Sequence, residues 1–304
     1  MTTRAKIAFA TISILWGIPY LLIKIAVDAG VTPAFLAWSR VVMAAVLLLA
    51  ISPKERLLDT VRARFKWLAL FALVEVVIPF PLMAAGERHV DSSVAAILIA
   101  SAPLFVALLA LRFDHTERVG GWRLVGLLIG LAGVVMFVGI DFAGRKDELL
   151  GALAILVCAF FYAVGPMVMK RKLSDLDPRT SMALSLVLAG AMLTPLVALD
   201  PPRTVPSIAA IGALVGLGVL CTAAAFIAYF VLVAEAGAGR ALVITYINPV
   251  IAIGAGMLVR GERPGAGAVI VLVLILLGSW IATGGKVEEK SVAAGYSGAE
   301  GDSD

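Results

Sequence analysis

Charge is scarce in this chain. Of its 304 residues, 15% are Asp, Glu, Lys or Arg and 61% are hydrophobic, whereas soluble domains carry about 25% charge. A mean hydropathy of +1.02 excludes an ordinary solvated surface. Cysteine and histidine are equally rare, two of each. Cys158 and Cys221 both fall inside apolar runs, where free cysteine behaves as a small buried hydrophobe, so no disulfide framework or redox pair is expected. His89 and His115 supply no HExxH or other metal spacing. No GxxxxGK[ST] loop is present for ATP, and no GxSxG nucleophile elbow. A cofactor is therefore not expected. A removable signal peptide is missing too: the first apolar run is too long and lacks a small-residue cleavage pattern, so that helix is expected to stay.

What the chain has instead is a series of apolar runs of about 20 residues, the length that crosses a bilayer core. Hydropathy and breaks mark ten spans, at 6–27, 33–52, 66–86, 92–111, 121–140, 150–169, 180–199, 207–234, 241–259 and 264–284. The expected fold is an all-α integral membrane protein with ten transmembrane helices. Every loop is short, which leaves no room for a separate catalytic module. The small, polar tail at 285–304 reads as disordered and cytoplasmic. With the N-terminus inside, the inner loops collect seventeen Lys and Arg residues and the outer loops six. This bias places both termini in the cytoplasm of a multi-pass plasma-membrane protein of a prokaryote. It also accounts for the net charge of +4 and pI of 9.2 without a nucleic-acid partner.

The chain contains an internal echo. Ser101–Gly139 returns as Ile247–Gly285: Pro103 answers to Pro249, Glu117-Arg118 to Glu262-Arg263, and Gly133 and Gly278 each lie sixteen residues after their glutamate. Trp16, Tyr20 and Lys24 recur at identical spacing as Tyr162, Pro166 and Lys170. Ten spans then divide into halves at 6–140 and 150–284. An odd number of spans per half forces the second to insert upside down, giving two inverted five-helix repeats related by a pseudo-two-fold axis in the membrane plane.

These residues resemble the EamA-type, ten-span members of the drug/metabolite transporter superfamily. The resemblance runs through LWGIPYLLIK in the first span, Pro33 and Arg40 in the second, and Pro103, Glu117, Gly126 and Gly133 in the fourth and fifth. In the second half it runs through Asn248-Pro249, Glu262 and Gly278. The chain departs from the pattern in the lengthened loop at Asp114 and His115, and in Tyr162-Ala163 where the first repeat has Trp-Gly. The resemblance implies transport of small metabolites, commonly amino acids and related compounds, without ATP hydrolysis. The first span carries no acid between Ile7 and Val27, whereas small multidrug antiporters of the same superfamily rely on a membrane-embedded Glu there. This makes a lipophilic-cation substrate less favoured.

Glu75 is the costliest residue, an acid near the midplane of the third span, at roughly 2.5–3.5 kcal/mol on insertion scales. It is a candidate for proton or substrate binding; the alternative is a structural partner for Arg40. Trp16, Tyr20 and Lys24, four apart, rise on one helix face together with Ser13. The aromatics suit an amphipathic solute, or simply pack, and Lys24 either gates or snorkels. Lys170 belongs to the Lys170-Arg171-Lys172 cluster that topology alone explains. Tyr162 is the repeat partner of Trp16. Thr222, Phe226 and Tyr229 share a face of the eighth span, and Thr245, Tyr246 and Asn248 crowd before Pro249 in the ninth. Pro103, preceded by Ser101, and Pro249 are expected to break their helices in matching positions of the two halves, a pointer to a binding site in transporters. Gly126-xxx-Gly130 and Gly212-xxx-Gly216 have close-packing spacing, for internal contacts or a dimer.

The candidate substrate-binding set is Trp16, Tyr20, Glu75, Ser101, Tyr162, Tyr229, Thr245, Tyr246 and Asn248. Lys24, Arg40 and Lys170 are assigned to gating or charge pairing. The expected function is secondary transport of a small molecule, export in particular, by alternating access, with protons or a counter-substrate as coupling partner and a monomer or homodimer as the working unit. A membrane-embedded lipid-modifying enzyme and a passive channel are the alternatives, and the enzyme lacks convergent acids, histidines or metal ligands.

Overall fold

The computed structural model describes residues 2–52, 57–113, 121–142, 144–202, 205–237, 241 and 243–282. Glu117, Arg118, the loop around Asp114 and His115, and the tail at 285–304 lie outside the described residues.

The protein is an all-α membrane protein. Among the described residues, eight helices are long and apolar enough to cross a bilayer: α1 (Thr3–Asp28), α2 (Pro33–Ile51), α3 (Leu57–Gly86), α4 (Ser92–Arg112), α5 (Trp122–Gly139), α6 (Lys146–Lys172), α7 (Pro178–Leu199) and α8 (Ile208–Ala236). Two shorter apolar helices follow, α9 (Ile244–Arg260) and α10 (Ala266–Ala282). Each expected span is met by a helix. The largest boundary difference is at α3, which starts nine residues before the expected 66. Its first turns carry Asp59, Arg62 and Arg64 and can stay solvated beyond the apolar region, with Arg64 pairing with Asp175 after α6.

Helix starts are written in the sequence. Thr2, Asp177 and Ser207 accept from the backbone N–H of Ala5, Thr180 and Ala210 at 3.0, 2.9 and 3.2 Å, which supplies partners for otherwise orphaned donors. Pro33 and Pro178 occupy first helical positions, where the missing N–H is not needed.

Five of the described spans are irregular within the bundle. α1 bends at Ile18, ahead of Pro19. α4 breaks at Ala100–Ser101, ahead of Pro103, where a break was expected. α3 contains a π-helical segment at Leu73–Val77, α8 a longer one at Gly216–Ala224, and α5 ends in one at Phe137–Asp141. Pro249 does not break its helix: α9 runs unbroken through it. Pro166 and Pro195 likewise lie inside unbroken helices, α6 and α7, so each proline costs one backbone hydrogen bond without ending its span. The α1 bend also divides the expected stripe. Trp16 packs with the group around Ile12 and Leu232, and Tyr20 with the group around Leu98 and Ile155.

Between the first five and the last five helices, α1 packs on α8 and α9, α2 on α7 and α8, α3 on α6 and α7, α4 on α6 and α9, and α5 on α10. Exchanging the first five helices with the last five leaves this set of pairs unchanged. The tightest contact is between α5 and α10. A Cβ on Gly278 would lie 2.6 Å from the Gly130 nitrogen and 2.7 Å from the Gly126 carbonyl oxygen, so the Gly126-xxx-Gly130 face is used inside the bundle. Outward faces stay apolar, as at Leu128, Val135, Ile270 and Leu258.

Candidate functional site

The contacts that join helix ends sort them into two groups. At the end where α1 begins, Thr2 donates to Glu235 at 2.6 Å and Arg4 pairs with the same carboxylate. At the end where α1 finishes, the Lys24 ammonium donates to the Glu87 carbonyl oxygen at 2.9 Å and pairs with Asp28 at 3.1 Å. Arg260 at the end of α9 meets Asp28 at 2.5 Å and lies 3.8 Å from Glu262. These are called the near end and the far end.

Between them lies a group of polar and aromatic side chains on α1, α2, α3, α6 and α8. The Trp16 ring sits 5.1 Å from Tyr229 and 5.8 Å, edge-on, from Phe226. Glu75, in the π segment of α3, packs against Gly165, where a Cβ would collide with its carboxylate, and its Oε2 is buried without a hydrogen-bond partner. The Glu75 carboxylate is close enough to Tyr162 and Tyr229 to interact with both electrostatically. Arg40 stands in the same relation to Tyr20 and Tyr162.

Arg40 and Glu75 do not form an ion pair with each other. The Arg40 Nε donates to Thr222 Oγ1 at 2.8 Å, and the guanidinium lies 4.1 Å from the centre of the Phe80 ring. Thr222 in turn donates to Leu217 five residues back, at 2.7 Å, using the wider π turn. Gly218 lets α2 approach here, since a Cβ would sit 3.2 Å from the Arg40 carbonyl oxygen. The π segments of α3 and α8 therefore each present a polar group to the centre: an acid on α3 and a cation-binding hydroxyl on α8. Such segments recur at functional sites.

The other singled-out residues lie in different settings. Ser101 is fully buried, and its hydroxyl returns to the Leu98 carbonyl at 2.6 Å across the α4 break. The Asn248 amide, oriented with its nitrogen toward acceptors, donates to the Ser13 and Ile244 carbonyls at 3.3 and 3.1 Å, tying α9 to α1. Thr245 is half-buried at the start of α9. Tyr246 packs edge-on to Trp280 of α10 at 6.0 Å, away from the Trp16 group. Lys170 is exposed at the end of α6, whereas Lys24 is buried, so the repeat-matched lysines do not share an environment.

Trp16, Tyr162, Phe226, Tyr229 and Glu75 are half-buried, whereas Lys24, Arg40, Glu87, Ser92, Ser93 and Thr222 are buried. The far end is closed by groups outside the candidate set: Glu87, Ser92, Ser93 and Glu262, the last being the loop glutamate that the repeat pairs with Glu117. Glu262 accepts from the backbone N–H of Ser92 at 3.2 Å and of Ser93 at 2.9 Å, and from both hydroxyls. The start of α4 is thus capped by a residue from the second half. Asp91-Ser92-Ser93 could be read as a helix start, but its partner, 170 residues away in sequence, could not. No group of three or more potential metal ligands occurs among the described residues.

A bundle of apolar helices enclosing a polar, aromatic centre has the architecture of a membrane solute carrier. The sequence profile of the EamA-like transporter family matches residues 3–139 and again 149–284, and the chain belongs to that family. It is 28% identical over 293 residues to a protein of Escherichia coli strain K12 named as the uncharacterized inner membrane transporter YedA, with 90% of this chain and 91% of that one covered. It is 25% identical to Protein PagO of Salmonella typhimurium, with 91% of each chain covered. A solved crystal structure shares the fold at a TM-score of 0.61 and 20% identity, covering 93% of this chain and 98% of that one. The protein is a multi-pass membrane transporter and not an enzyme.

Proposed function

We propose that the protein is a secondary exporter of small metabolites, amino acids and related compounds, working by alternating access between two inverted five-helix halves in a prokaryotic plasma membrane, both termini in the cytoplasm. The observation that carries the substrate class is the separation of opposite charges at the centre. Glu75 has a buried oxygen with no partner, and Arg40 is held by Thr222 and Phe80 with no carboxylate paired to it. A zwitterion bridges the two, its carboxylate toward Arg40 and its ammonium toward Glu75, with an apolar side chain against Trp16 and Tyr229. Charged groups kept apart at this depth are costly unless a ligand or cavity water meets them.

Two features support alternating access. The helix pairing survives exchange of the halves, and α1 and α6 finish at opposite ends: Lys24 near the end of α1 meets the end of α3, while Asp175 after α6 meets the beginning of α3.

The test is counterflow in proteoliposomes against an amino-acid and metabolite panel, with wild type and Glu75→Gln. A carrier preloaded with substrate accumulates external label transiently, and Glu75→Gln is expected to lose uptake of zwitterions by at least about tenfold, the factor that corresponds to 1.4 kcal/mol. Label equilibration without transient accumulation would indicate a pore, and unchanged uptake in Glu75→Gln would remove that residue from the site.

A further inference from the structure

Glu87 directly follows α3 at the far end, with 0% of its surface exposed, and both its carboxyl oxygens lack a hydrogen-bond partner. Its surroundings are charged but already engaged. From α1, Lys24 donates to the Glu87 main-chain carbonyl, not to its carboxyl, and pairs with Asp28. Asp28 is shared with Arg260 from α9. Arg40 from α2 is held by Thr222. Glu262, from the junction of α9 and α10, adds a second negative charge to the surroundings; Tyr20 on α1 and Cys158 on α6 complete the ionisable groups that interact with Glu87. In its own loop, Arg88 reaches the Val31 carbonyl at 3.4 Å, and Asp91 precedes α4.

We propose that Glu87 is a proton-binding site that latches the far end: it is neutral while that end is shut, and its ionisation opens the end by drawing Lys24 from Asp28. An ionised carboxylate here has no donor to satisfy it, and an uncompensated buried charge costs several kcal/mol. Two routes relieve it: water enters, or Lys24 turns to the carboxylate. Both break the chain Lys24–Asp28–Arg260, which joins α1 of the first half to α9 of the second. Burial pushes the Glu87 carboxyl well above the usual carboxylate range, with Lys24 opposing and Glu262 adding to the shift. An acid so raised in the closed form favours closure below that value, and opening as pH rises through it, the proton passing to water on the side that opens. The proposal rests on the alternating-access reading for its role in transport, but not for the latch motion itself.

The test reads distance, not transport. Spin labels are placed at Ala29 and Arg263, both exposed on opposite sides of the latch; Cys158 and Cys221 are buried and stay unlabelled. Double electron–electron resonance is recorded in lipid across about pH 5 to 9, a range spanning ordinary and strongly raised carboxyl values. Wild type is expected to shift from a short to a long population as pH rises. Glu87→Gln, a permanently neutral mimic, is expected to hold the short distance throughout, and Glu87→Asp to keep a response with a displaced midpoint. A pH-insensitive wild type, or a Glu87→Gln variant that responds like wild type, overturns the proposal. If Glu87→Gln fails to fold, a Glu87→Asp midpoint identical to wild type does so. A latch that moves in a protein showing no counterflow would retain this inference while removing the transport reading.

Discussion

At the scale of single residues, the informative groups are carboxylates that differ in what surrounds them. Burial raises the Glu262 carboxyl, but the hydrogen bonds from Ser93 and Ser92 outweigh it, and the net position is below the ordinary carboxylate value. A carboxyl lowered in the folded state contributes stability above its unfolded value, near pH 4.3, and loses that contribution as pH falls through the folded one. Replacing Glu262 by Ala leaves two serine hydroxyls and two helix-start N–H groups without their acceptor. The expected loss is roughly 1–3 kcal/mol, read as a lower melting temperature in detergent at neutral pH. The difference from wild type should shrink on acidification below about pH 4; a difference independent of pH would show that packing, not the charged cap, is responsible. Glu75 tests a different contact. Gly165→Ala adds a Cβ into its carboxylate and should impair substrate uptake while the α3–α6 pair still assembles. Of these groups, Glu75 stands out in the sequence because a lone acid amid apolar residues is conspicuous. Glu262 stands out only through its repeat match with Glu117, and Glu87 does not stand out at all, because it follows an apolar helix closely and looks like an ordinary loop-end charge.

At the scale of helices, the π segments and glycine contacts set how closely the two halves meet. The π turn at Gly216–Ala224 lets Thr222 give its proton to Leu217 while accepting from Arg40. Thr222→Val keeps the shape and removes both bonds, leaving a buried cation short of one acceptor at a cost of roughly 1–3 kcal/mol. Its signature should be a raised KM for zwitterions beyond any change in melting temperature; a stability loss with unaltered KM would confine Thr222 to packing. Gly278→Leu should separate α5 from α10, because the atoms that a side chain would meet belong to the Gly126–Gly130 backbone and cannot rotate away. A variant that still folded with wild-type melting behaviour would contradict that contact. The spans themselves were legible from hydropathy, since twenty apolar residues leave few alternatives. The π segments of α3 and α8 were not: they lie where α2, α3, α6 and α8 pack together, and no proline or glycine inside Leu73–Val77 announces one. Pro249 shows the converse: α9 runs through it, as α6 and α7 run through Pro166 and Pro195, so a proline alone does not mark where a span breaks.

For the whole molecule, the decisive property is direction. The repeat of Glu-Arg, Pro and Gly spacings between the two halves was readable because each half must rebuild the same helix crossings. The ties across the halves, such as Lys24–Asp28–Arg260, were not, because pairs more than two hundred residues apart leave no mark on local pattern. Direction can nevertheless be tested without substrate. Gly30 lies in the turn after α1 with open space around it, two residues beyond Asp28 and its bond to Arg260 at the far end. Leu176 lies between α6 and α7, next to Asp175, whose carboxylate meets Arg64 near the start of α3. α3 finishes at the far end, beside Lys24, so its start and Leu176 belong to the near end. Accessibility tags inserted after Gly30 and after Leu176 are therefore expected on opposite faces of the membrane. The Lys and Arg bias places the Gly30 tag outside, where an impermeant reagent labels it in intact cells, and the Leu176 tag inside, labelled only after permeabilisation. Labelling of both tags in intact cells, or of neither, would place α1 and α6 in the same orientation and remove the inverted halves on which alternating access depends.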